Sequence, residues 1–185
     1  MKKTYNINIA GVSRDLTLYP VSDKISIAAL ILLGDVEFTE VCARELLKVS
    51  PEFDYIITPE AKSISLAHEM AKQAGCGTYF VARKHKKVYL ENALEYNYES
   101  ITTKGRQSLY LGQADAELMK DKKILLIDDV ISTGESLNAL RALVEKAGGI
   151  IAGCAAVLAE GDAAKRNDII FLKPLPLFNA SGYPI

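Results

Sequence analysis

Two adjacent carboxylates followed by small and hydroxyl-bearing residues are the part of this 185-residue chain best suited to chemistry. Asp128 and Asp129 come directly after four uninterrupted apolar residues, 124–127. Such a run is typical of a parallel strand covered on both faces, because a half-exposed strand alternates apolar and polar residues. Open parallel sheets bind ligands just beyond the carboxyl ends of their strands. The acidic pair is therefore predicted to lie at a ligand-binding edge.

The residues that follow the acidic pair favour a negatively charged ligand group, which the carboxylates themselves would repel. Ser132, Thr133 and Gly134 lead into a predicted helix, whose first-turn N–H groups and dipole favour an anion such as phosphate. The carboxylates would instead accept hydrogen bonds from vicinal hydroxyls. A ribose 5-phosphate satisfies both parts of the site, because its hydroxyls suit the carboxylates and its phosphate suits the helix N-terminus. The simpler alternative is an aspartate-capped turn with Thr133 as N-cap, although two adjacent acidic groups repel each other and rarely serve only as a cap.

Neither a P-loop motif nor a dinucleotide fingerprint occurs in the chain. Residues 124–136 instead resemble the phosphoribosyl-pyrophosphate signature of type I phosphoribosyltransferases. The resemblance implies an α/β fold, a parallel twisted sheet with helices on both faces, plus a small N-terminal hood and a flexible hairpin loop. It assigns the ribose hydroxyls to Asp128 and Asp129. It assigns the 5-phosphate, mostly through main-chain contacts, to Val130, Ile131, Ser132, Thr133, Gly134, Glu135 and Ser136.

A second anion site is predicted where the strand near residues 55–58 leads into another helix. In the resembled family a loop at this place binds pyrophosphate, which implies that role for Glu60, Ala61, Lys62 and Ser63. A helix N-terminus and a lysine cation suit that ligand. The alternative is a Pro-initiated helix start with a surface lysine.

A basic run follows the predicted strand at residues 78–82. The resemblance implies that Arg83 and Lys84, with Lys87 as a weaker candidate, face the pyrophosphate. Clustered cations would stabilise a multiply charged leaving group. The alternative is a solvated cationic turn, which most charge runs are.

Residues 88–112 are polar and aromatic, and they correspond in order to the flexible catalytic loop of the family. Such a lid must exclude water from the ribosyl cation that forms as pyrophosphate leaves. Lys104 and Arg106 are predicted to be catalytic together with Asp128 and Asp129. Adenine phosphoribosyltransferases carry a proton-transferring glutamate in this loop. Because Gln107 or Ser108 stands near that place here, the proton-transfer residue stays open.

The base-binding region is the least specific part of the pattern. Residues 11–17 resemble a run near the N-terminus of adenine phosphoribosyltransferases, with Arg14 as the matching site residue and Ser13 in place of an aromatic. Residues 80–87 look closer to xanthine phosphoribosyltransferases. The C-terminal residues 172–178 either cover the base or pack on the sheet, and packing is favoured. A purine substrate is expected, with adenine favoured over xanthine or hypoxanthine and guanine.

Whole-chain properties agree with one enzyme domain over residues 1–185, with 1–24 as the hood segment. The net charge of −1 and pI near 6.2 give no strong basic field for nucleic acid. Three widely spaced cysteines argue against a disulfide framework or zinc site and for a cytoplasmic protein. No membrane span is predicted. The resemblance further implies Mg²⁺ bound mainly through phosphoribosyl pyrophosphate, no metal held by protein ligands alone, and a homodimer.

Hydrophobic periodicity predicts the remaining elements. Strands are expected at residues 5–9, 16–18 and 150–158, and helices at 63–74 and 134–147. Apolar positions between Ser26 and Val49 predict helices interrupted near Gly34. A purine-responsive regulator that uses the same fold as a sensor is the alternative from another class. It is disfavoured because there is no room for a helix-turn-helix before the predicted site.

Overall fold

The computed structural model describes the backbone of residues 3–99 and 106–185 and the side chains of residues 3–98 and 107–185. Its helices are α1 (Val36–Val49), α2 (Ile64–Ala74), α3 (Gln113–Met119) and α4 (Glu135–Lys146). Its strands are β1 (Thr4–Ile9), β2 (Val12–Pro20), β3 (Ile25–Ala29), β4 (Tyr55–Pro59), β5 (Phe80–Ala82), β6 (Leu94–Glu99), β7 (Arg106–Leu111), β8 (Lys123–Ile131), β9 (Ile150–Glu160), β10 (Ile170–Leu175) and β11 (Phe178–Asn179).

The centre of the molecule is a five-stranded parallel sheet in the spatial order β10, β9, β8, β4, β5. The predicted α/β class is therefore confirmed. Because all five strands run the same way, their carboxyl ends meet at one edge. The segments that follow β4, β5, β8 and β9 are thereby brought together, although they are far apart in sequence.

Helices cover both faces of this sheet, as predicted. On β8, Leu125 and Ile127 belong to the core shared with α1 and α2, whereas Ile124 and Leu126 belong to the core shared with α3 and α4. All four side chains are fully buried. Successive strand residues point to opposite faces, so an uninterrupted apolar run is what two covered faces require.

A second, antiparallel sheet contains the N-terminal segment, in the order β1, β2, β3, β11. Ile7, Ile9 and Leu16 from this sheet are buried in the core that α1 and α2 share. The prediction of a helix soon after Ser26 was wrong, because residues 25–29 form β3. Strand β3 pairs with β2 and β11, and these long-range partners override the local periodicity.

The remaining elements are a two-stranded sheet, a short helix and the C-terminal strands. Strands β6 and β7 form the predicted hairpin between β5 and β8, and α3, which the periodicity did not predict, follows it. The C-terminal residues pack on both sheets, because β10 is the outer strand beside β9 and β11 pairs with β3. No helix in the described ranges is both long and apolar enough to cross a bilayer.

Candidate active site

Asp128 and Asp129 lie in the second half of β8, which continues to Ile131 instead of ending at the acidic pair. Asp129 is 2% exposed, and Asp128 is half-buried. The Oδ1 atom of Asp128 accepts hydrogen bonds from the Asp129 backbone N–H at 2.9 Å and from the Ser63 hydroxyl at 3.0 Å. Burial and the neighbouring Asp129 carboxylate raise the pKa of Asp128 well above its ordinary value.

The segment between β4 and α2 crosses to this acidic pair. Lys62 Nζ lies 2.6 Å from Asp129 Oδ2. Ser63 stands at the N-cap of α2, but its hydroxyl makes no cap bond; it donates to Asp128 and accepts from Thr58 Oγ1 at 2.9 Å. A normal helix-capping residue is thus turned toward the carboxylates. The structure therefore joins the two predicted anion sites directly.

In this cluster one ammonium group, that of Lys62, is surrounded by three carboxylates. Partial burial alone would lower the pKa of Lys62, but its attraction to Asp129, Asp128 and Glu160 outweighs that effect and raises it. Glu160, at the end of β9, has a pKa raised by burial and opposed by Lys62. Sequence reasoning missed Glu160. The signal was available, because it is a carboxylate that directly follows a long apolar strand.

The cradle for an anion is formed by residues 130–137, which together with Asp128 line a cavity of about 70 Å³. Gly134 has φ +84°, a left-handed conformation that glycine adopts without strain. Helix α4 begins at Glu135, one residue beyond Gly134, so Thr133 is not its N-cap. The first turn of α4 faces this cavity with N–H groups that have no acceptor earlier in the helix.

Glu60 links two of the predicted pyrophosphate segments. Its Oε1 atom lies 3.3 Å from Arg83 Nη1, and its Oε2 atom accepts the backbone N–H of Lys84 at 3.0 Å. The peptide bond between Glu60 and Ala61 is cis. Glu60 therefore contacts the basic run after β5, and Arg83 is held beside the loop that carries Lys62.

Arg83 is also the point where the hairpin joins the sheet. Its backbone exchanges two hydrogen bonds of 2.8 Å with Tyr110 of β7, and its guanidinium donates to Tyr89 Oη at 2.8 Å. Lys84 is exposed, and Lys87 is half-exposed. Of the two residues predicted in the hairpin loop, Lys104 lies outside the described residues, and so does the side chain of Arg106, which opens β7.

The side chain of Arg14 is engaged by carboxylates. Its guanidinium lies 2.6 Å from Asp35 Oδ2 and 2.8 Å from Glu37 Oε2, and it stacks 5.3 Å from the centre of the Phe38 ring. Asp35 is the N-cap of α1 and accepts the backbone N–H of Phe38. These contacts tie the antiparallel sheet to α1. Base recognition near Arg14 remains a prediction about backbone groups.

The structure brings together the acidic pair near the carboxyl end of β8, the cavity of residues 130–137 and cations from two further loops, which are the residue types predicted for a sugar that carries phosphate and pyrophosphate. The sequence profile described as Phosphoribosyl transferase domain matches residues 39–176. The chain therefore belongs to the phosphoribosyltransferase family. This match confirms the family predicted from residues 124–136.

Individual relatives and structures agree with this assignment. The chain is 31% identical to an adenine phosphoribosyltransferase of Corynebacterium diphtheriae, over 94% of this chain and 92% of that protein. It is 29% identical to a hypoxanthine/guanine phosphoribosyltransferase of Methanococcus voltae, over 80% and 73%. Its fold matches the crystal structure of adenine phosphoribosyltransferase from Thermoanaerobacter pseudethanolicus with a TM-score of 0.65 and 22% identity, over 93% and 95%.

Proposed function

We propose that this protein is a purine phosphoribosyltransferase that favours adenine. The reaction joins a purine ring nitrogen to the anomeric carbon of phosphoribosyl pyrophosphate, and it yields a nucleoside monophosphate and pyrophosphate. The observation that carries the proposal is the contact of Lys62 with Asp129 beside the cavity of residues 130–137. A sugar-binding pair, a phosphate cradle and a pyrophosphate-binding cation are thus contiguous.

In this proposal the sugar is held at both ends. Asp128 and Asp129 accept hydrogen bonds from the two ribose hydroxyls, and the first turn of α4 binds the 5-phosphate. Both groups come from rigid elements, since Asp129 is buried in the central strand β8 and Gly134 is buried at the start of α4. Binding energy from the phosphate end is thereby used to align the anomeric carbon for attack.

The leaving pyrophosphate is stabilised by cations from two loops. Lys62 and Arg83 supply charge, and Lys84, Lys87 and the backbone of residues 60–63 complete the binding surface. Both Lys62 and Arg83 already contact carboxylates, Asp129 and Glu60 respectively. Arrival of pyrophosphate would move these cations from protein carboxylates to the more highly charged ligand, which places their stabilisation where charge develops in the transition state.

Magnesium is part of the proposal. Mg²⁺ in proteins is usually bound by one or two carboxylates plus substrate phosphates, and Asp128 and Asp129 offer such oxygen ligands. Within the described ranges, no group of three or more histidine, cysteine or acidic side chains is arranged to hold a metal ion. When bound with the substrate, Mg²⁺ would screen the repulsion between the acidic pair and the phosphates.

The hairpin of β6 and β7 is proposed to close over the site, with Lys104 and Arg106 near the leaving group. Its base is fixed by the pairing of Tyr110 with Arg83, a pyrophosphate-binding candidate. A lid attached at this point would exclude water while pyrophosphate departs.

A cytoplasmic homodimer with one domain over residues 1–185 completes the proposal. Three large apolar side chains near the start of α1, namely Ile31, Leu33 and Val36, are 58%, 49% and 79% exposed, as expected of a surface that a second copy covers. Burial raises the pKa of the Cys42 thiol to about 12, and free thiols suit a reducing compartment. Sedimentation of wild-type protein and of Leu33→Glu would test the dimer.

Base preference is the second question, because one close relative is named for hypoxanthine and guanine. The purified chain should be incubated with Mg²⁺, phosphoribosyl pyrophosphate and adenine, hypoxanthine, guanine or xanthine, with uracil and orotate as controls. Adenosine monophosphate as the main product supports the proposal. A product from another purine alone would overturn the adenine preference, and no product from any purine would overturn the proposed activity.

A further inference from the structure

The anion cradle is contacted at Gly134 by Arg166, a residue that follows the 3₁₀ turn Gly161–Lys165. A methyl group added at Gly134 would overlap with Arg166 Nη1, and its position is 3.5 Å from Arg166 Cζ. The guanidinium therefore fills the space that a side chain at residue 134 would need. Arg166 does not line the 70 Å³ cavity itself. Its contact is at Gly134.

A carboxylate fixes the orientation of the Arg166 guanidinium. Its Nε and Nη2 atoms donate to the two oxygens of Asp168 at 2.9 and 2.8 Å, which is the bidentate geometry that fixes a guanidinium plane. Asp168 Oδ2 also lies 3.5 Å from Arg141 Nη2 on the second turn of α4. One short segment thus contacts both the residue that precedes α4 and the body of α4.

We propose that Arg166 is a positioning residue for the 5-phosphate: with Asp168 it holds the loop at Gly134 and the start of α4 in the geometry that binds the phosphoryl group. This inference rests on the proposed function. Arg166 is 28% exposed and its charge is paired with that of Asp168, so its role here is to fix the geometry of the loop and not to add charge to the start of α4. It does not touch the substrate, and the pyrophosphate-binding residues lie on other loops.

The test is calorimetric titration of ribose 5-phosphate and, separately, of magnesium pyrophosphate into the full chain. Arg166→Ala should weaken ribose 5-phosphate binding about tenfold, equivalent to about 1.4 kcal/mol, and leave pyrophosphate binding unchanged. In steady-state assays, KM for phosphoribosyl pyrophosphate should rise while KM for the base stays the same. A purely structural role would lower the melting temperature and weaken every ligand together.

Two further variants keep the result interpretable. Arg166→Lys retains charge but cannot make both hydrogen bonds to Asp168, so it should recover only part of the affinity; full recovery would overturn the positioning role. Arg44→Ala is the matched control, because Arg44 is an exposed arginine on α1 paired with Glu45. If wild-type protein fails to bind ribose 5-phosphate, the proposed function fails. If wild type and Arg166→Ala bind it equally, only this inference fails.

Discussion

Lys62 Nζ lies 2.6 Å from Asp129 Oδ2, although the two residues are 67 positions apart in the chain. The carboxylate is 3% exposed, whereas the lysine side chain is 58% exposed, so the ammonium group reaches inward from a solvated stem. The pair joins the strand proposed to bind the sugar to the loop proposed to bind pyrophosphate. Each residue can therefore be tested separately: Asp129 for binding of the sugar, and Lys62 for binding of the pyrophosphate.

Asp129→Asn should reduce kcat/KM for phosphoribosyl pyrophosphate at least 100-fold, an effect of about 2.7 kcal/mol or more. The amide keeps the shape of the side chain but loses the charge that binds hydroxyls and pairs with Lys62. Melting temperature should change little, because Lys62 can return to water. Asp162→Asn, which alters an exposed ion pair with Lys165, is the control. Wild-type turnover by Asp129→Asn would remove the assignment of sugar binding.

Lys62→Met should weaken inhibition by pyrophosphate about 10- to 100-fold, because one charge-assisted hydrogen bond contributes about 1.5–3 kcal/mol. The measurement is the product inhibition constant for pyrophosphate. Lys72→Met is the matched control, since Lys72 is an exposed lysine on α2 whose ammonium group lies 3.2 Å from Glu69 Oε2. Equal inhibition constants for wild type and Lys62→Met would show that this lysine does not bind the leaving group.

Stability should depend on pH through Asp128. Its pKa is raised in the folded chain, so the folded state binds more protons, and stability falls as the pH rises from the ordinary carboxyl pKa through the raised one. Asp128→Asn removes this penalty. Its melting temperature should exceed that of wild type by about 2–4 °C at pH 8, which corresponds to about 1 kcal/mol, with a smaller difference at pH 5.

Asp162→Asn is again the control for this pH dependence, because Lys165 lowers the pKa of Asp162 and its contribution has the opposite sign. A difference between Asp128→Asn and wild type that is the same at pH 5 and pH 8 would contradict the raised pKa.

Gly134→Ala should weaken ribose 5-phosphate binding more than it lowers stability. The left-handed conformation costs a non-glycine residue about 1–2 kcal/mol, and the added methyl group overlaps with the Arg166 guanidinium. Gly11→Ala is a close control, because Gly11 has φ +91° and no atom within 4 Å of the added carbon. It should lose stability and keep its affinity. Equal affinities for both variants would argue against the cradle.

Local signals predicted the buried strand and the helix on either side of the acidic pair, although β8 continues to Ile131. Each feature there is specified by neighbouring residues, and this holds for the apolar run of 124–127, the acidic pair and the small loop. The match to residues 39–176 confirms the family. The signal for the end of α2 was equally local, since Gly75 adopts the left-handed C-cap conformation. Such features depend on backbone geometry over a few residues.

Contacts between distant segments could not be predicted in the same way. The approach of Lys62 to Asp129 and of Arg166 to Gly134 depends on strand order, which no local pattern specifies. Residues 25–29 were mistaken for helix for a related reason. Their apolar spacing fits the periodicity of a helix and that of a strand, and only the pairing with β2 and β11 makes this segment a strand.

The pairing of Arg83 with Tyr110 also covers backbone groups next to an edge of the central sheet. Strand β5 is the outermost strand of the central sheet and has only three residues. An open sheet edge is a template on which other chains can add and aggregate. Because β7 bonds to the backbone just beyond β5, the hairpin proposed to close the site also shortens the edge available for such association.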